Sequence, residues 1–140
     1  MARFTATLVA RHSNKVASVN GEDLENGAGV VQWDYVNQLN QEWNLEATSA
    51  GYYVIRAVHS GKALSISGED LQNGATAVQW DYVNQHNQEW RLVQQDNGYF
   101  SIEARHSGKA LSVSGEDLQN GATLVQWSYV GQHNQHFRLG

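Results

Sequence analysis

A unit of 47 residues occurs three times in tandem, and this repeat constrains the fold more than any other feature. The dipeptide His-Ser recurs at His12, His59 and His106 with no insertion or deletion between the copies. Over the 34 positions that start at these histidines, the second copy differs from the third at six and from the first at ten. Such uniformity indicates recent duplication or design. It predicts three copies of one supersecondary unit around a shared core.

Each copy contains four short segments with the composition of β-strands, separated by Gly- and Asn-containing turns. The first segments span 5–10, 53–58 and 100–105, the second 16–19, 63–66 and 110–113, the third 30–36, 77–83 and 124–130, and the fourth begin at Trp43, Trp90 and Phe137. No segment has the sustained 3.6-residue apolar period of a helix. Twelve strands in three equal units predict an all-β, closed barrel with hairpin caps. A three-bladed propeller is disfavoured, because propellers usually have at least four blades.

Length and composition bound the function classes. The chain of 140 residues fits a single domain (1–140) with repeats at about 1–47, 48–94 and 95–140. A net charge of −5 without a basic cluster argues against nucleic acid, and the absence of cysteine excludes disulfides and thiolate metal sites. The start shows no signal-peptide pattern and no long apolar span, so we expect no membrane insertion and a location that is cytoplasmic or secreted without a classical signal.

A short motif repeats where each fourth strand begins. Residues 40–43 and 87–90 read Asn-Gln-Glu-Trp, and residues 134–137 read Asn-Gln-His-Phe. With Ser-Gly-Lys-Ala-Leu before the second strand and Asn-Gly-Ala before the third, the chain resembles the ricin B-type lectins, whose Gln-x-Trp motif marks the β-trefoil. The resemblance covers all three repeats, although Phe137 departs from it. It implies a non-catalytic, multivalent carbohydrate-binding lectin with up to three sites for galactose or N-acetylgalactosamine, acting as a monomer or weak homo-oligomer without a cofactor.

The Gln-x-Trp residues themselves are interpreted as structural. An aromatic ring at the start of the fourth strand buries a large apolar area, so Trp43, Trp90 and Phe137 are assigned to the core. The glutamines of the motif, Gln41, Gln88 and Gln135, are expected to tie loop backbone or to orient a neighbouring site group.

The resemblance also implies where sugar would bind. The family pocket combines an acidic residue near the end of the second strand, an aromatic or amide residue in the third strand, and the Asn before Gln-x-Trp. Here the acidic position carries Ser18, Ser65 and Ser112, and the amide is kept as Asn40, Asn87 and Asn134. A hydroxyl is a poorer partner for two sugar hydroxyls than an ionised carboxylate.

Two interpretations of the third strand stay open. Ungapped alignment makes Trp33, Trp80 and Trp127 the stacking platforms. The period of two instead puts Val31, Trp33 and Tyr35 on one face, towards the core, and offers the intervening polar residues to the ligand. Those polar residues are Gln32, Asp34, Gln79, Asp81 and Gln126. Asp34 and Asp81 would then supply the missing carboxylate, and the third site, with Ser128 and Gly131, would be the weakest.

The other repeated groups have less specific explanations. Three symmetric histidines, His12, His59 and His106, could bind zinc, but hydrogen bonding to loop backbone beside a turn is the simpler role. The Glu-Asp pairs that begin at Glu22, Glu69 and Glu116 lack calcium-loop spacing and are interpreted first as solvated turns and second as pocket rim. No asymmetric catalytic set can be named. The alternatives to a lectin are a natural or engineered symmetric scaffold and a protein-binding trefoil without sugar sites.

Overall fold

The computed structural model describes residues 3–140, which form thirteen short strands and seven 3₁₀ turns with no α-helix in that range. The strands are β1 (Arg3–Ala6), β2 (Leu8–Ala10), β3 (Val16–Val19), β4 (Val30–Trp33), β5 (Trp43–Ala47), β6 (Tyr53–Ala57), β7 (Ala63–Ile66), β8 (Ala77–Trp80), β9 (Trp90–Gln94), β10 (Phe100–Ala104), β11 (Ala110–Val113), β12 (Leu124–Trp127) and β13 (Phe137–Leu139). The turns are Asn20–Glu22, Leu39–Gln41, Ser67–Glu69, His86–Gln88, Asp96–Gly98, Ser114–Glu116 and His133–Gln135. None of these helical segments is long and apolar enough to cross a bilayer.

The strands form a closed barrel with three hairpin caps. The barrel runs in the order β1-β5-β6-β9-β10-β13-β2, and β1 and β2 close it because they are consecutive pieces of one strand, interrupted at Thr7. The Thr7 N–H and carbonyl both pair with Gly140, at 3.1 and 3.0 Å. The caps are the antiparallel pairs β3–β4, β7–β8 and β11–β12. The predicted β-trefoil is confirmed, and the twelve expected strands become thirteen through the break at Thr7.

The third strand of each repeat is shorter than the sequence predicted. Strands β4, β8 and β12 end at Trp33, Trp80 and Trp127, three residues before the predicted ends. The chain then turns through a residue with positive φ, which is Asn37 at 62°, Asn84 at 65° or Gly131 at 73°. This early end leaves the tryptophans at the last position of each cap, where one ring face can remain uncovered.

The core is built from equivalent residues of all three repeats. Trp43, Trp90 and Phe137 are at most 1% exposed, and their assignment to the core is confirmed. Each indole N–H also donates to a backbone carbonyl, Trp43 to Ala17 at 3.0 Å and Trp90 to Leu64 at 2.9 Å. These two tryptophans therefore fix the second strand of their own repeat against the barrel as well as filling space.

Neighbouring repeats are joined through the Asn-Gly turns that precede the third strands. The backbone N–H of Gly121 donates to the carbonyl of Gln32 at 2.8 Å, and the N–H of Gln32 donates to the carbonyl of Ala122 at 2.9 Å. The same pair of bonds joins Gly27 and Ala28 to Gln79, and Gly74 and Ala75 to Gln126. Each cap is thus held in place by the cap of the neighbouring repeat.

Candidate functional site

Three equivalent pockets lie on the molecule, one in each repeat, with cavity volumes of about 320, 270 and 240 Å³ in the first, second and third repeats. The second strand, the 3₁₀ turn after it, the end of the third strand and the Asn-Gln segment contribute side chains to each. The first pocket is lined by Ser18, Val19, Asn20, Gly21, Glu22, Val31, Trp33, Val36, Gln38, Asn40 and Gln41. The structure thus brings together three kinds of residue that the resemblance named: the serine, the tryptophan and the asparagine.

An exposed indole forms one wall of each pocket. Trp33, Trp80 and Trp127 are 42%, 46% and 46% exposed, so the interpretation that turned them towards the core is wrong. The period of two does hold along β4, but the faces are reversed: Val30 packs in the core, whereas Val31 and Trp33 line the pocket. Tyr35 lies beyond the end of the strand and is itself exposed.

Each tryptophan rests against a glycine of a neighbouring repeat. A Cβ atom built on Gly121 would lie 3.7 Å from Cζ3 of Trp33. One built on Gly27 would lie 3.6 Å from the same atom of Trp80, and one built on Gly74 would lie 3.7 Å from that of Trp127. These glycines have φ of 91–92°, a conformation that side chains rarely adopt. The Asn-Gly turn of one repeat therefore supports the aromatic wall of the next repeat's pocket.

The asparagine that recurs in each repeat has an acceptor without a partner among the described residues. The Nδ2 atoms of Asn40, Asn87 and Asn134 donate to the carbonyls of the second strand's last residue, at 2.8–2.9 Å. Their Oδ1 atoms are buried and have no hydrogen-bond partner among the described residues. A buried acceptor left unpaired costs about 1–3 kcal/mol.

The floor of the pocket is polar but uncharged. The Ser18 hydroxyl donates to the Val16 carbonyl at 3.2 Å and accepts from Nε2 of Gln41 at 3.3 Å, with the same pattern at Ser65 and Ser112. Gln41 also donates to the Asp34 carbonyl and accepts from the Val36 N–H. Both roles predicted for this glutamine are confirmed: it ties loop backbone, and it contacts a pocket side chain.

The glutamines of the third strand do not line the pockets. Gln32, Gln79 and Gln126 are at most 1% exposed. The side-chain N–H groups of each donate to two backbone carbonyls of a neighbouring repeat. For Gln32 these are the carbonyls of Asp117 and Gln119, at 2.7 and 2.8 Å, while its Oε1 accepts from Ser13. The prediction that these glutamines contact the ligand is wrong, because their side chains form hydrogen bonds between repeats.

Asp34 and Asp81 likewise lie outside the pocket lining. The Asp34 backbone N–H and carboxylate both bond the side chain of Asn120, at 2.9 and 3.1 Å, and Lys15 lies 3.4 Å away. The Asn120 hydrogen bond, followed by Lys15, holds the pKa of Asp34 below its ordinary value. Asn26 and Lys62 do the same for Asp81. Each carboxylate stabilises a contact between two repeats, which we call a junction. Ser128, which replaces the aspartate in the third repeat, therefore changes a junction rather than a pocket.

The three symmetric histidines also serve the junctions. Nε2 of His12 bonds the carbonyl of Asp117 at 2.8 Å, and His59 and His106 bond the carbonyls of Asp23 and Asp70 in the same way. The predicted hydrogen bond to loop backbone is confirmed, although the loop belongs to a different repeat. Within residues 3–140 no group of three or more potential metal ligands comes together.

One glutamate in each repeat lines a pocket, although the sequence favoured a solvated turn at this position. Glu22, Glu69 and Glu116, interpreted first as solvated turns, line the three pockets from the 3₁₀ turn that follows the second strand. Their position four residues after the pocket serine was the available signal. Since a short turn separates the two residues, side chains from both can reach the same cavity.

Comparisons with known proteins place these pockets in a family. The model of the ricin-type β-trefoil lectin-like domain matches residues 3–80 and 86–140. A designed threefold-symmetric protein, ThreeFoil, has a TM-score of 0.95 and 43% identity, with 96% of each chain covered. An exo-β-1,3-galactanase from Clostridium thermocellum has a TM-score of 0.94 and 34% identity over 96% of this chain, which spans only 29% of that enzyme.

A more distant structure shares the fold alone. The ricin B-like lectin of Macrolepiota procera, solved with lactose, has a TM-score of 0.84 and 20% identity, with 97% of this chain and 94% of that chain covered. A search of curated proteins finds no significant match. The family match extends over nearly the whole described chain and into all three repeats, so this protein belongs to the ricin-type β-trefoil lectin family.

Proposed function

We propose that this protein is a non-catalytic lectin with three glycan-binding sites of the galactose or N-acetylgalactosamine type. The observation that carries the proposal is the same in every repeat: one pocket is lined both by an exposed indole and by an asparagine whose buried amide oxygen has no partner among the described residues. The sugar class is the one implied by the resemblance to the ricin B-type lectins, and the Macrolepiota procera lectin, which shares the fold, was solved with lactose. The galactanase supports no activity here, because this chain corresponds to less than a third of it.

The pocket chemistry suits a pyranose ring. A sugar has one face of C–H groups, which stacks on an aromatic ring, and an edge of hydroxyls, which needs fixed acceptors. Trp33 would take the C–H face, and Oδ1 of Asn40 would accept from a ring hydroxyl. Because Ser18 is already bonded to Gln41 and Val16, it would shape the pocket floor rather than bind strongly.

Three sites on one chain imply avidity. The pockets are open to solvent, so a single site should bind weakly. When two or three sites bind glycans on one surface, the second contact becomes intramolecular and the apparent affinity rises by about 10²–10⁴-fold. We therefore expect a monomer to agglutinate cells. Since Asp34 and Asp81 lie outside the pockets, the third site should be as competent as the others.

Calorimetry with galactose, N-acetylgalactosamine and lactose tests the proposal. We expect three sites per chain for a sugar that binds, and loss of binding and agglutination in the triple variant Trp33→Ala, Trp80→Ala and Trp127→Ala. The matched control replaces three exposed leucines outside the pocket linings, Leu24, Leu71 and Leu118, with Ala. The control should bind normally.

Two results would overturn the proposal. If the folded protein binds no sugar in calorimetry and no glycan on an array, the scaffold or protein-binding alternative is favoured. If the tryptophan variant binds sugar as well as the leucine control does, glycans are bound elsewhere on the molecule.

A further inference from the structure

Each pocket is lined by one charged residue, a glutamate at the equivalent position of each repeat. Glu22, Glu69 and Glu116 are the charged residues of the first, second and third pockets, whose other described lining residues are uncharged. All three glutamates are exposed, and within residues 3–140 none of the three carboxylates takes part in a hydrogen bond or an ion pair. Each pocket therefore carries a net negative charge that no cation of the pocket offsets.

The backbone holds this carboxylate in the same place three times. Glu22, Glu69 and Glu116 have φ of 57°, 56° and 56°, and each follows a glycine with φ of 64°. Left-handed backbone is unfavourable for a residue with a long side chain, by about 1–2 kcal/mol, and Gly or Asn would relieve the strain. The glutamate is nevertheless present in all three copies.

A second feature of the same pocket points to a ligand independently. The Oδ1 atoms of Asn40, Asn87 and Asn134 belong to side chains that are 5–6% exposed, and they have no partner among the described residues. The pocket thus offers one buried neutral acceptor and one exposed ionised acceptor. Two acceptors match a ligand that presents two hydroxyl donors, whereas the floor hydroxyl of Ser18 is occupied by its bonds within the protein.

We infer that Glu22, Glu69 and Glu116 determine specificity: their carboxylates accept from sugar hydroxyls in the role that serine leaves unfilled, and they make the sites selective for neutral glycans over anionic ones. The inference rests on the proposed function. Sialylated and sulfated glycans carry a negative charge that the pocket lacks a cation to pair with. Repulsion between like charges in a partly exposed site is screened by salt, so the discrimination should weaken as ionic strength rises.

A glycan array with matched neutral, sialylated and sulfated forms of the same galactosides tests this specificity. We expect the wild type to bind the neutral forms about tenfold or more better than the anionic forms at low salt. In the variant Glu22→Gln, Glu69→Gln and Glu116→Gln, the preference should shrink and lactose affinity in calorimetry should fall about tenfold, since a hydrogen bond to an ionised acceptor becomes one to a neutral amide.

A single-site comparison supplies the control for charge and folding. In a background with Trp80→Ala and Trp127→Ala, which leaves the first site, Glu22→Gln is compared with Glu25→Gln. Glu25 lies three residues further along and outside the pocket lining, and the other repeats already carry Gln72 and Gln119 at its position. Glu25→Gln removes the same charge and should leave lactose binding and the neutral preference unchanged.

The outcomes separate this inference from the proposed function. If the wild type binds no glycan, the proposed function fails and the inference fails with it. If the wild type binds neutral glycans but Glu22→Gln behaves like Glu25→Gln, the lectin remains and the role of the glutamate is refuted. Equal binding of neutral and anionic forms by the wild type at low salt would likewise overturn the charge selectivity.

Discussion

Replacing Trp90 with alanine is expected to cost about 3–5 kcal/mol of unfolding free energy, through lost burial and the cavity that remains. The ring is completely buried in the threefold core, and its N–H satisfies the carbonyl of Leu64 at 2.9 Å. For a chain of this length, that loss corresponds to a fall of about 10–20 °C in melting temperature. Urea denaturation followed by far-UV circular dichroism gives the unfolding free energy directly.

The third repeat supplies a graded control for this prediction. Phe137 fills the position of Trp90 and is 1% exposed, so a phenyl ring fits this environment. Trp90→Phe should keep most of the burial and lose the bond to Leu64, and therefore cost about 1–3 kcal/mol. A Trp90→Ala protein with an unchanged denaturation midpoint, or a Trp90→Phe protein as unstable as Trp90→Ala, would refute the assignment of this ring to the core.

Three further predictions concern the junctions, a buried histidine and metal. Asn120→Ala removes the side chain that binds Asp34, beside the turn that supports Trp33, and should weaken binding at the first site more than at the others, as measured in single-site variants. Burial, aided by the charges of Arg11 and His133, lowers the pKa of His136 below 6.5, against a smaller opposing effect of Asp96. The unfolded chain then binds the extra proton first, so stability should fall as pH drops below about 6.5. His136→Glu, which imitates the Glu89–Arg105 pair, should reduce that fall in denaturation measured between pH 7 and 5. EDTA should change neither the melting temperature nor sugar binding. A large drop in either would indicate that His12, His59 and His106 bind a metal ion.

The fold could be predicted because its signals are local and occur three times. The turn before each second strand, the Asn-Gly turn before each third and the aromatic ring at each fourth depend on short-range backbone and burial preferences. Three equal units of four strands can form a closed β structure in only a few ways. The break at Thr7 was not predictable, because it depends on pairing with Gly140 at the far end of the chain.

The pockets were predicted less completely, because faces and partners depend on tertiary contacts. The period of two correctly grouped Val31 with Trp33, but it could not say which face meets the core. Polarity suggested that Gln32 would meet a ligand, whereas backbone carbonyls of another repeat satisfy its amide. Sequence spacing within one repeat contains no information about such contacts between repeats. Glu22 was ranked low for a related reason, since an acidic turn residue is usually only solvated.

The contacts between repeats explain why certain residues are identical in all three copies. The Asn-Gly turn and the glutamine of the third strand act across a boundary, so a change in one repeat would disturb the pocket of its neighbour. Both features are identical in all three copies. Two of the six differences between the second and third copies lie at contacts between repeats. Ser128 replaces Asp81, and its N–H still bonds Asn73 at 2.9 Å. His136 replaces Glu89, and it contacts Arg11 where Glu89 pairs with Arg105. Because the tryptophan wall of each site lies against the Asn-Gly turn of a neighbouring repeat, each pocket depends on the contact between two repeats, and binding at that site should be lost when this contact is disrupted.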